Sequence, residues 1–445
     1  MADFQDLDAD WLSCDEALTR ILAGATPTAA VPVPAAATPG RSVAETIRAR
    51  ATLPAWPSSA MDGFAVRSGD LLERGQGEIR LPVAGASYPG EVPLRGVPPG
   101  TAVRVMTGGP VPDGFDSVIR VEHTDGEAEP GFVVIASTGD LGRHVRAAGK
   151  DMRRGEETVP AGTMVHSGSL PVILASGCDP VPVHRRPRVG VLSSGDELVD
   201  VDRFGRVAAG RGIPDTNRAM ILAAAAEAGA VPVDLGVAAD DPAALRAELE
   251  AVGEVDALVT TGGASMGERD LLKKVLLDLG FRLDFWRVRV RPGSPLSFGH
   301  LPRDEGGIPV FGLPGNPASA FVTFHVFVAP YLRARLGSAR ARGVTVVART
   351  GEALSSPPRL THFLRVGLSG AGWGARSRES FGRTGGDRRG PAEPEGGLRC
   401  WLTGPQGSGL VRSLRDADGL AVVAEGVGRI EAGDPVPVLL LPGRC

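Results

Sequence analysis

From Arg188 onwards the sequence alternates short apolar runs with helix-like segments, and no other feature constrains the fold as strongly. The strand-like runs span residues 188–192, 231–235, 256–260, 282–290 and 309–313. The helix-like segments span residues 217–228, 242–252, 270–279 and 317–336. Apolar strands separated by helices predict a doubly wound, mostly parallel α/β sheet that is covered on both faces. Ligands bind such sheets at the carboxyl ends of the strands, so those loops are where a site is expected.

The remaining sequence predicts further units on either side of this sheet. The 445 residues exceed the roughly 250 to 300 at which a single core stops growing, so several domains are expected. An amphipathic helix is predicted over 11–23 with Ser13 as its N-cap, and a short helix over 167–176. Runs punctuated by glycine and proline predict a small all-β domain over 54–145.

A final β domain is predicted beyond about residue 340. Its expected strands lie at 344–347, 362–366, 409–413, 419–423 and 437–441. Between them, residues 370–398 are rich in Gly, Arg and Glu, which predicts a surface loop. The fold class is therefore multidomain α/β plus β.

Charge and cysteine usage exclude several classes of protein. The 48 basic and 52 acidic residues leave a net charge of −4, which removes the electrostatic basis for non-specific nucleic-acid binding. No apolar run approaches the roughly 18 residues that span a bilayer. The four cysteines are too far apart in sequence to suggest a zinc knuckle or a disulfide framework. We therefore expect a cytoplasmic protein with reduced thiols that binds neither nucleic acid nor membrane.

Two glycine-rich loops at predicted strand ends are candidate anion sites. Residues 260–270 (TTGGASMGERD) and 312–317 (GLPGNP) each lead from a strand into a helix, where backbone N–H groups are exposed. For each loop, a tight turn without a ligand is the plain alternative. Taken singly, the loops do not decide between the two.

Acidic residues at two other strand ends suit a hard cation. Asp196 and Glu197 stand in the SSGDEL loop where the sheet opens, so they would hold a divalent metal or polarise a water. Capping of the next segment is the alternative. Asp240 and Asp241 precede Pro242, which is typical of a helix start, and capping is favoured there.

The small β domain contributes two further candidates. Asp62 lies in an MDG turn before a strand, where a plain Asp-Gly hairpin is the default, and Thr107 offers a hydroxyl at the end of another strand. The chain has no HxH or HExxH spacing, no GxSxG or GxxxxGK[ST], and no GxGxxG at a strand-to-helix junction. The absence of these motifs argues against zinc hydrolases, serine hydrolases, P-loop proteins and dinucleotide-binding proteins.

Taken in order, the motifs resemble those of one family. The chain carries, in succession, SSAMDGFAV, RVMTGGPVP, RRGEE, SSGDELV, PDTNR, ADDPAALR, TTGGASMGERD, RPGSPLSFG and GLPGNPASAFVTF. This order resembles the molybdopterin molybdenumtransferase family (MoeA), which includes the E domain of gephyrin. The resemblance is strong over about residues 10–336 and looser beyond them.

The resemblance implies a homodimer of four-domain subunits. The expected domains are a discontinuous scaffold and dimerisation domain (1–53 and 146–184), the small β domain (54–145), the molybdopterin-binding α/β domain (185–338) and a C-terminal β domain (339–445). It also implies an enzyme that inserts molybdenum from molybdate into adenylylated molybdopterin and releases AMP, using Mg²⁺ or another divalent cation. Handover of substrate from the adenylylating enzyme is a further expectation.

The family's functional positions are carried over residue by residue. Those expected to be catalytic are Asp62, Thr107, Glu157, Glu197, Asp240 and Asp270, and the metal is expected at Glu197, Asp240 and Asp270. Those expected to bind pterin and phosphates are Ser194, Gly195, Gly262, Gly263, Ser265, Arg291, Ser294, Pro314, Gly315, Asn316 and Pro317. Asp62 is expected to reach the cleft from the partner subunit.

Two positions depart from the family pattern. The family's PGKP turn is RPGSP here, so Ser294 replaces a lysine expected to face molybdate or phosphate. Arginines at 287, 289 and 291 are expected to supply the missing charge, although arginine is a planar fork and not a point charge. In RRGEE, Glu157 stands where the family usually has aspartate.

These departures leave two other interpretations open. One is a catalytically weakened paralogue that acts as a molybdopterin-binding scaffold or regulator. The other is the adenylylating sister enzyme, which shares the doubly wound domain; the flanking domains and the MDG motif disfavour it.

Overall fold

The computed structural model describes residues 11–75, 77–262, 271–303, 307–370 and 397–443. Helix α1 (Cys14–Ala23) confirms the predicted first helix, and Ser13 is its N-cap. The Ser13 hydroxyl accepts a hydrogen bond from Glu16 N at 3.2 Å, while the Glu16 carboxylate accepts one from Ser13 N at 2.8 Å. This reciprocal capping box satisfies backbone donors that the helix itself cannot pair.

The N-terminal strands β1 (Ala30–Val33) and β2 (Ile47–Arg48) precede a small β unit. This unit contains β3 (Ser58–Ser59), β4 (Gly63–Val66), helix α2 (Ser68–Leu72), β5 (Ile79–Ser87), β6 (Ala102–Val105), β7 (Ser117–Arg120), β8 (Phe132–Ile135) and β9 (Val145–Arg146). Its five-stranded sheet has the order β7-β4-β6-β5-β8, and β3 pairs with β9. An ideal Cβ on Gly63 would lie 2.0 Å from Ile119 O, so only glycine permits the close approach of β4 to β7.

After the small unit the chain returns to pair with its own N-terminal strands. The returning elements are β10 (Glu157–Val159), α3 (Ser169–Ala175) and β11 (Val181–His184). Strand β1 pairs with β11 and β2 with β10, both antiparallel. Residues on both sides of the small unit therefore share one core, which includes Val43, Ile47, Val159, Ile173 and Val181.

The next segment forms the predicted α/β sheet. In chain order its elements are β12 (Arg188–Ser194), β13 (Leu198–Val199), α4 (Phe204–Ala208), β14 (Ile213–Pro214), α5 (Thr216–Glu227), β15 (Val231–Ala238), α6 (Pro242–Glu250), β16 (Ala257–Thr261), α7 (Leu271–Asp278), β17 (Arg282–Trp286), β18 (Val290–Arg291), β19 (Ser297–Leu301), β20 (Ile308–Leu313), α8 (Pro317–Thr323) and α9 (Ala329–Arg335). In the order β15-β12-β16-β20-β19-β17, the first four strands are parallel, β19 is antiparallel to its neighbours, and the edge strand β17 again runs in the direction of the first four.

Both faces of this sheet are covered. Val191 of β12 joins one apolar core together with Ile221 of α5, whereas its neighbour Leu192 joins a second core with Leu245 of α6. Successive strand residues point to opposite faces, so one strand feeds both layers. The doubly wound, mostly parallel arrangement is therefore confirmed.

The C-terminal segment closes into a β barrel. Its strands are β21 (Thr345–Thr350), β22 (Leu354–Ser355), β23 (Thr361–Ser369), β24 (Arg399–Leu402), β25 (Gly419–Val423), β26 (Arg429–Ile430) and β27 (Pro435–Leu440). The order β18-β23-β24-β21-β27-β25 is closed by a pairing of β23 with β25, and β18 joins from the preceding segment.

Two predicted strands are wrong. The run 282–290 is two elements, because Arg287 adopts a left-handed backbone (φ +75°) that ends β17 before β18 begins. The run 409–413 is not a strand; it forms a turn that leads into a 3₁₀ helix at Arg412–Leu414. Strands β19 and β24 were not predicted, nor were several shorter strands of two to four residues such as β1, β10 and β11.

In the part of the chain that the structure describes, no helix is long and apolar enough to cross a membrane. Cys14, Cys178 and Cys400 are unpaired thiols, as the sequence predicts.

Candidate functional site

The carboxyl ends of three parallel strands meet at one place. Gly262 follows β16 with φ +88°, and an ideal Cβ there would lie 2.5 Å from Ser194 O at the end of β12. The Cβ position of Gly315, beyond β20, lies 3.9 Å from Gly262 Cα. Ser194, Gly262 and Gly315 were each predicted to bind substrate, and Gly262 lies close to both of the others. Their backbones pack so closely that a larger residue at 262 would force the strand ends apart.

The LPGNP turn carries the remaining predicted residues of this edge. Pro314 is buried, Gly315 and Asn316 are exposed, and Pro317 is the first residue of α8. A proline at this position suits a helix start because its missing N–H would have no intrahelical partner there. Gly263, Ser265 and Asp270 lie outside the described residues.

The acidic residues lie at the same edge of the sheet. An ideal Cβ on Gly195 would lie 2.8 Å from Glu197 Oε2, so the Glu197 carboxylate folds back over its own loop. Asp196 accepts a hydrogen bond from Asp240 N at 3.1 Å, which joins the loops after β12 and β15. Asp241, as predicted, caps α6 by accepting from Ala244 N at 2.9 Å. Among the described residues, no three His, Cys, Asp or Glu side chains are arranged to hold a metal.

A partly buried network of polar side chains, centred on the PDTNR segment, lies next to these loops. Asp215 caps α5 and pairs with Arg218, which also pairs with Asp200 and Asp234. Burial opposes the charge of Arg218, but hydrogen bonds to Asp215 and Asp234 outweigh it and raise its pKa. Asn217 donates from Nδ2 to Gly315 O at 2.7 Å and so fixes the LPGNP turn.

The RPGSP turn packs directly on α8. An ideal Cβ on Gly293 (φ +108°) would lie 2.4 Å from Thr323 Cγ2. The Ser294 hydroxyl donates to Val290 O at 2.6 Å, so it serves its own turn. Its neighbour Arg291 is exposed on β18.

The other two arginines proposed as substitutes for the lysine are engaged elsewhere. Arg289 forms an ion pair with Glu425 at 3.1 Å. The Arg287 guanidinium lies 3.9 Å from the centre of the Trp286 ring and 5.1 Å from that of Trp11. Of the three, only Arg291 is exposed beside the turn.

Arg365 on β23 is a residue that the sequence analysis missed. It is 0% exposed and donates to Pro405 O, Gly407 O and Ser413 Oγ, while its Nη1 has no partner among the described residues. Burial lowers the pKa of Arg365 to about 10. The signal in the sequence was a lone arginine among the apolar residues of a strand, which the general abundance of arginine concealed.

Arg365 connects the barrel to the LPGNP turn. The segment that it holds ends at Ser408, whose hydroxyl accepts from Asn316 Nδ2 at 3.2 Å and whose carbonyl accepts from Ala318 N at 2.9 Å. His362, on the same strand, is buried, and its pKa is lowered to about 4 by burial and by the charges of Arg291 and Arg365. Arg291 and Arg365 thus carry the positive charge in this region, and His362 near them is neutral at neutral pH.

Asp62 and Thr107 are brought together in the small β unit. Asp62 Oδ1 accepts from Thr107 N at 2.7 Å and from Thr107 Oγ1 at 2.8 Å. These two hydrogen bonds lower the pKa of Asp62, so the exposed carboxylate is ionised at neutral pH. Among the described contacts, none joins this pair to the loops of the α/β sheet within the same chain.

Glu157 lies apart from both groups. It is exposed on β10 and forms an ion pair with Arg48 at 3.3 Å. Pairs of this exposed kind contribute little to stability. The described contacts do not connect Glu157 with the other predicted catalytic residues.

Comparison with known proteins covers nearly the whole chain. Residues 12–177 match the family model described as MoeA N-terminal region (domain I and II), residues 190–334 that of a probable molybdopterin binding domain, and residues 388–441 that of the MoeA C-terminal region (domain IV). A molybdopterin molybdenumtransferase of Nostoc sp. is 32% identical over 91% of this chain and 87% of its own length. One from Bacillus subtilis is 31% identical over 90% and 87%.

Two further comparisons agree. Molybdopterin molybdenumtransferase 1 of Mycobacterium tuberculosis is 32% identical over 96% of this chain and 99% of its own. A crystal structure of the molybdopterin biosynthesis MoeA protein from Pyrococcus horikoshii superposes with a TM-score of 0.74 at 28% identity, covering 98% of this chain and all of that one.

Proposed function

The chain belongs to the MoeA family of molybdopterin molybdenumtransferases, and we propose that it inserts molybdenum from molybdate into adenylylated molybdopterin with release of AMP. The observation that carries this proposal is the contact of Ser194, Gly262 and Gly315 at the carboxyl ends of three parallel strands. The phosphates and the pterin of the substrate need closely spaced hydrogen-bond partners, and the backbone groups at these strand ends would supply them. The enzyme is a transferase.

The substrate binds along the loops after β12, β16 and β20. Ser194, Gly195 and Gly262 form one side of this cradle, and the LPGNP turn at 314–317 forms the other. Gly263 and Ser265, outside the described residues, are proposed as further binding residues. Asn217 and Ser408 hold that turn from two directions, so its backbone is fixed before the substrate arrives. Preorganised polar groups of this kind lower the cost of binding and of charge development.

A divalent cation, Mg²⁺ in the simplest case, fits the carboxylates of this edge. Glu197 and Asp240 are exposed hard-oxygen donors on adjacent loops, with Asp270 as the third ligand in the proposal. Mg²⁺ keeps most of its waters and needs only one or two protein carboxylates, so the donor set suits it. When bound, the ion would neutralise phosphate charge as the phosphoanhydride bond to AMP is broken.

Positive charge for the oxyanion comes from Arg291 and Arg365. Ser294 does not replace the family's lysine, because its hydroxyl is held by Val290 O. Arg365 remains protonated at neutral pH, since its lowered pKa of about 10 is still well above 7, and its Nη1 is unpaired in the described structure. Because Arg365 is fully buried, it would act on a bound molybdate or phosphate through its electric field, whereas the exposed Arg291 could contact the anion directly.

Asp62 and Thr107 complete the site from the partner subunit of a homodimer. Both residues are exposed, and they are joined to each other by two hydrogen bonds. No described contact brings them to the α/β sheet of their own chain. Asp62, kept ionised by Thr107, would position or deprotonate the attacking water. Glu157 is proposed as a further acidic contributor, and the adenylylating enzyme as the donor of substrate.

The test is AMP release by the purified protein from adenylylated molybdopterin and Mg²⁺, with and without molybdate. We expect release that depends on molybdate. Asp62→Ala and Glu197→Ala should each lower its rate by about a hundredfold or more, the usual effect of removing an acid–base group. Matched controls are Asp113→Ala, an exposed aspartate of the small β unit, and Glu248→Ala, an exposed glutamate on α6. Tight substrate binding with no AMP under any oxyanion would contradict the proposal and favour a scaffold role.

A further inference from the structure

A buried carboxylate organises one corner of the small β unit. Asp140 is 1% exposed and accepts hydrogen bonds from Arg120 N and Nε at 3.1 Å each and from Arg120 Nη2 at 3.2 Å. The ring of His144 contacts the same carboxylate at 3.2 Å, and that of His123 lies 2.9 Å away. Asp140 therefore ties the end of β7 to the 3₁₀ turn after it (Val121–His123) and to the segment before β9.

The same segments hold the turn that carries Asp62. His144 O accepts a hydrogen bond from Ala60 N at 2.8 Å, and Val121 N donates to Asp62 O at 3.1 Å. The next residue, Gly63, lies directly on the backbone of β7, with its ideal Cβ 3.0 Å from Arg120 Cα. The first and last residues of the turn are thus anchored at His144 and next to Arg120, while Met61 between them is held locally, its N–H donating to Ser59 Oγ at 3.2 Å.

His144 occupies a backbone conformation that needs support. Its φ is +65°, in the left-handed region that residues other than glycine rarely adopt. Such a conformation persists only where its surroundings hold it. Its ring contact with Asp140 is the side-chain hydrogen bond that the structure describes for it.

We propose that Asp140 is a positioning residue for the reaction, holding the Ala60–Asp62 turn through Arg120 and His144 so that Asp62 is aimed into the active site. This inference rests on the proposed function, because it assigns Asp140 an effect only through Asp62. The core of the small unit packs around Phe64, Leu81, Ile119 and Ile135, and the Asp140 carboxylate is not a member of it. Asp140 acts on the orientation of one turn and not on the formation of the sheet.

The experiment compares steady-state AMP release by the full-length Asp140→Asn enzyme with the wild type. We expect kcat to fall about tenfold while KM for adenylylated molybdopterin stays within about twofold, since the turn acts on the reacting groups and not on the bulk of substrate binding. The matched control is Asp70→Asn. Asp70 is a partly buried aspartate of the same unit that accepts from Gly100 N at 2.7 Å and has no described contact with the Asp62 turn. It should keep the wild-type kcat.

A double variant separates positioning from a general structural effect. If Asp140 acts through Asp62, then Asp62→Ala and Asp62→Ala/Asp140→Asn should share the same residual kcat. A further tenfold loss in the double variant would overturn the inference. Wild-type kcat in Asp140→Asn, with Asp62→Ala impaired, would overturn it and leave the proposed function intact. Wild-type kcat in Asp62→Ala would overturn both the assignment of Asp62 and this inference.

A second substitution covers the case in which Asp140→Asn does not fold. His144→Asn keeps a residue that tolerates the left-handed backbone but removes the ring that contacts Asp140. We expect a smaller fall in kcat, again with unchanged KM. Wild-type kcat in this variant would overturn the inference.

Discussion

Thr107 presents two donors to a single carboxylate oxygen of Asp62, one from its backbone and one from its side chain. Thr107→Ala keeps the first and removes the second. Because the lost donor bonds the charged carboxylate that is proposed to act on the water, we expect kcat for AMP release to fall roughly tenfold. Thr107→Ser retains the hydroxyl and should behave as the wild type. Equal rates for the Ala and Ser variants would show that the side-chain donor has no part in the reaction.

His325 predicts how the stability of the protein depends on pH. It is completely buried between the rings of Phe321 and Phe324, and burial, with a smaller contribution from the charge of Arg333, lowers its pKa to about 3. The unfolded chain binds a proton at this residue below about pH 6.5, whereas the folded chain does not. The contribution of uncharged His325 to the free energy of unfolding is therefore present in full above about pH 6.5, and it is lost as the pH falls.

The measurement is urea unfolding of wild type and His325→Leu between pH 6.5 and 5, where most carboxylates stay ionised. We expect the wild type to lose roughly 1.5 kcal/mol more than the variant across this window. Buried His362 contributes in the same direction in both proteins. Parallel curves for wild type and variant would contradict the prediction.

Some of the candidate functional residues could be identified from the sequence, and others could not. Asp62 and Thr107 were each identified from their motifs, but their contact spans 45 residues and depends on the register that pairs Gly63 with Val105. Arg365 was not identified, because only three of the 48 basic residues are lysines and one arginine among so many carries no signal. Its burial inside a closed barrel is a property of the tertiary structure alone.

At the scale of the elements, the strand ends that build the substrate cradle tolerate no side chain at Gly262. An ideal Cβ there would lie 2.5 Å from Ser194 O, and the positive φ adds strain of roughly 1 to 2 kcal/mol for any other residue. We expect Gly262→Ala to lower AMP release more than tenfold, because the loops after β12 and β16 must separate.

Gly236 provides the matched control for this prediction. It has a positive φ of 80° on β15 of the same sheet, yet its Cβ position meets nothing within 4 Å. Gly236→Ala should therefore lose about 1 kcal/mol of unfolding free energy and keep its AMP release within twofold. If both variants lose activity equally, backbone strain and not crowding of the cradle is the cause.

The elements themselves followed the sequence closely where local patterning decides them. Ser13 and Asp241 were recognised as caps because a capping side chain acts on its own next turn. The break at Arg287 escaped prediction, because its left-handed backbone is stabilised by stacking on Trp286 and Trp11, the second of which is far away in sequence. The helix predicted over 317–336 is continuous but contains a π-helical turn at Phe324–Val328, which apolar spacing does not reveal.

At the scale of the whole molecule, the parallel direction of the central strands is a consequence of the βαβ pattern, whereas the closure of the C-terminal barrel is not predicted by any pattern. Strand β23 pairs with β24 and β25 of its own barrel and also with β18 of the preceding segment. Apolar runs indicate where strands form, but they do not indicate which strands pair when the strands are far apart in sequence. The hydrogen bond between Asn316 and Ser408 depends on that closure, so it could not be predicted from the sequence either.

The proposed site takes Glu197 from one subunit and Asp62 from the other. A dimer of two different variant chains should therefore recover activity. Coexpression of Asp62→Ala and Glu197→Ala chains with different tags would allow the mixed dimer to be purified by two affinity steps. In that dimer one site combines the intact Glu197 of the first chain with the intact Asp62 of the second, and the other site carries both lesions. We therefore expect about half of the wild-type AMP release per dimer, where each variant homodimer has almost none.

If instead both residues served the same subunit's site, each site of the mixed dimer would carry one lesion and activity would stay at the level of the variant homodimers. A wild-type dimer bearing both tags controls for the purification, and remixing of subunits is checked by the tag ratio after the assay. Complementation depends on which chain contributes each residue and not on the stability of either variant, so a dimer with no recovered activity would place Asp62 and Glu197 on the same side of the interface.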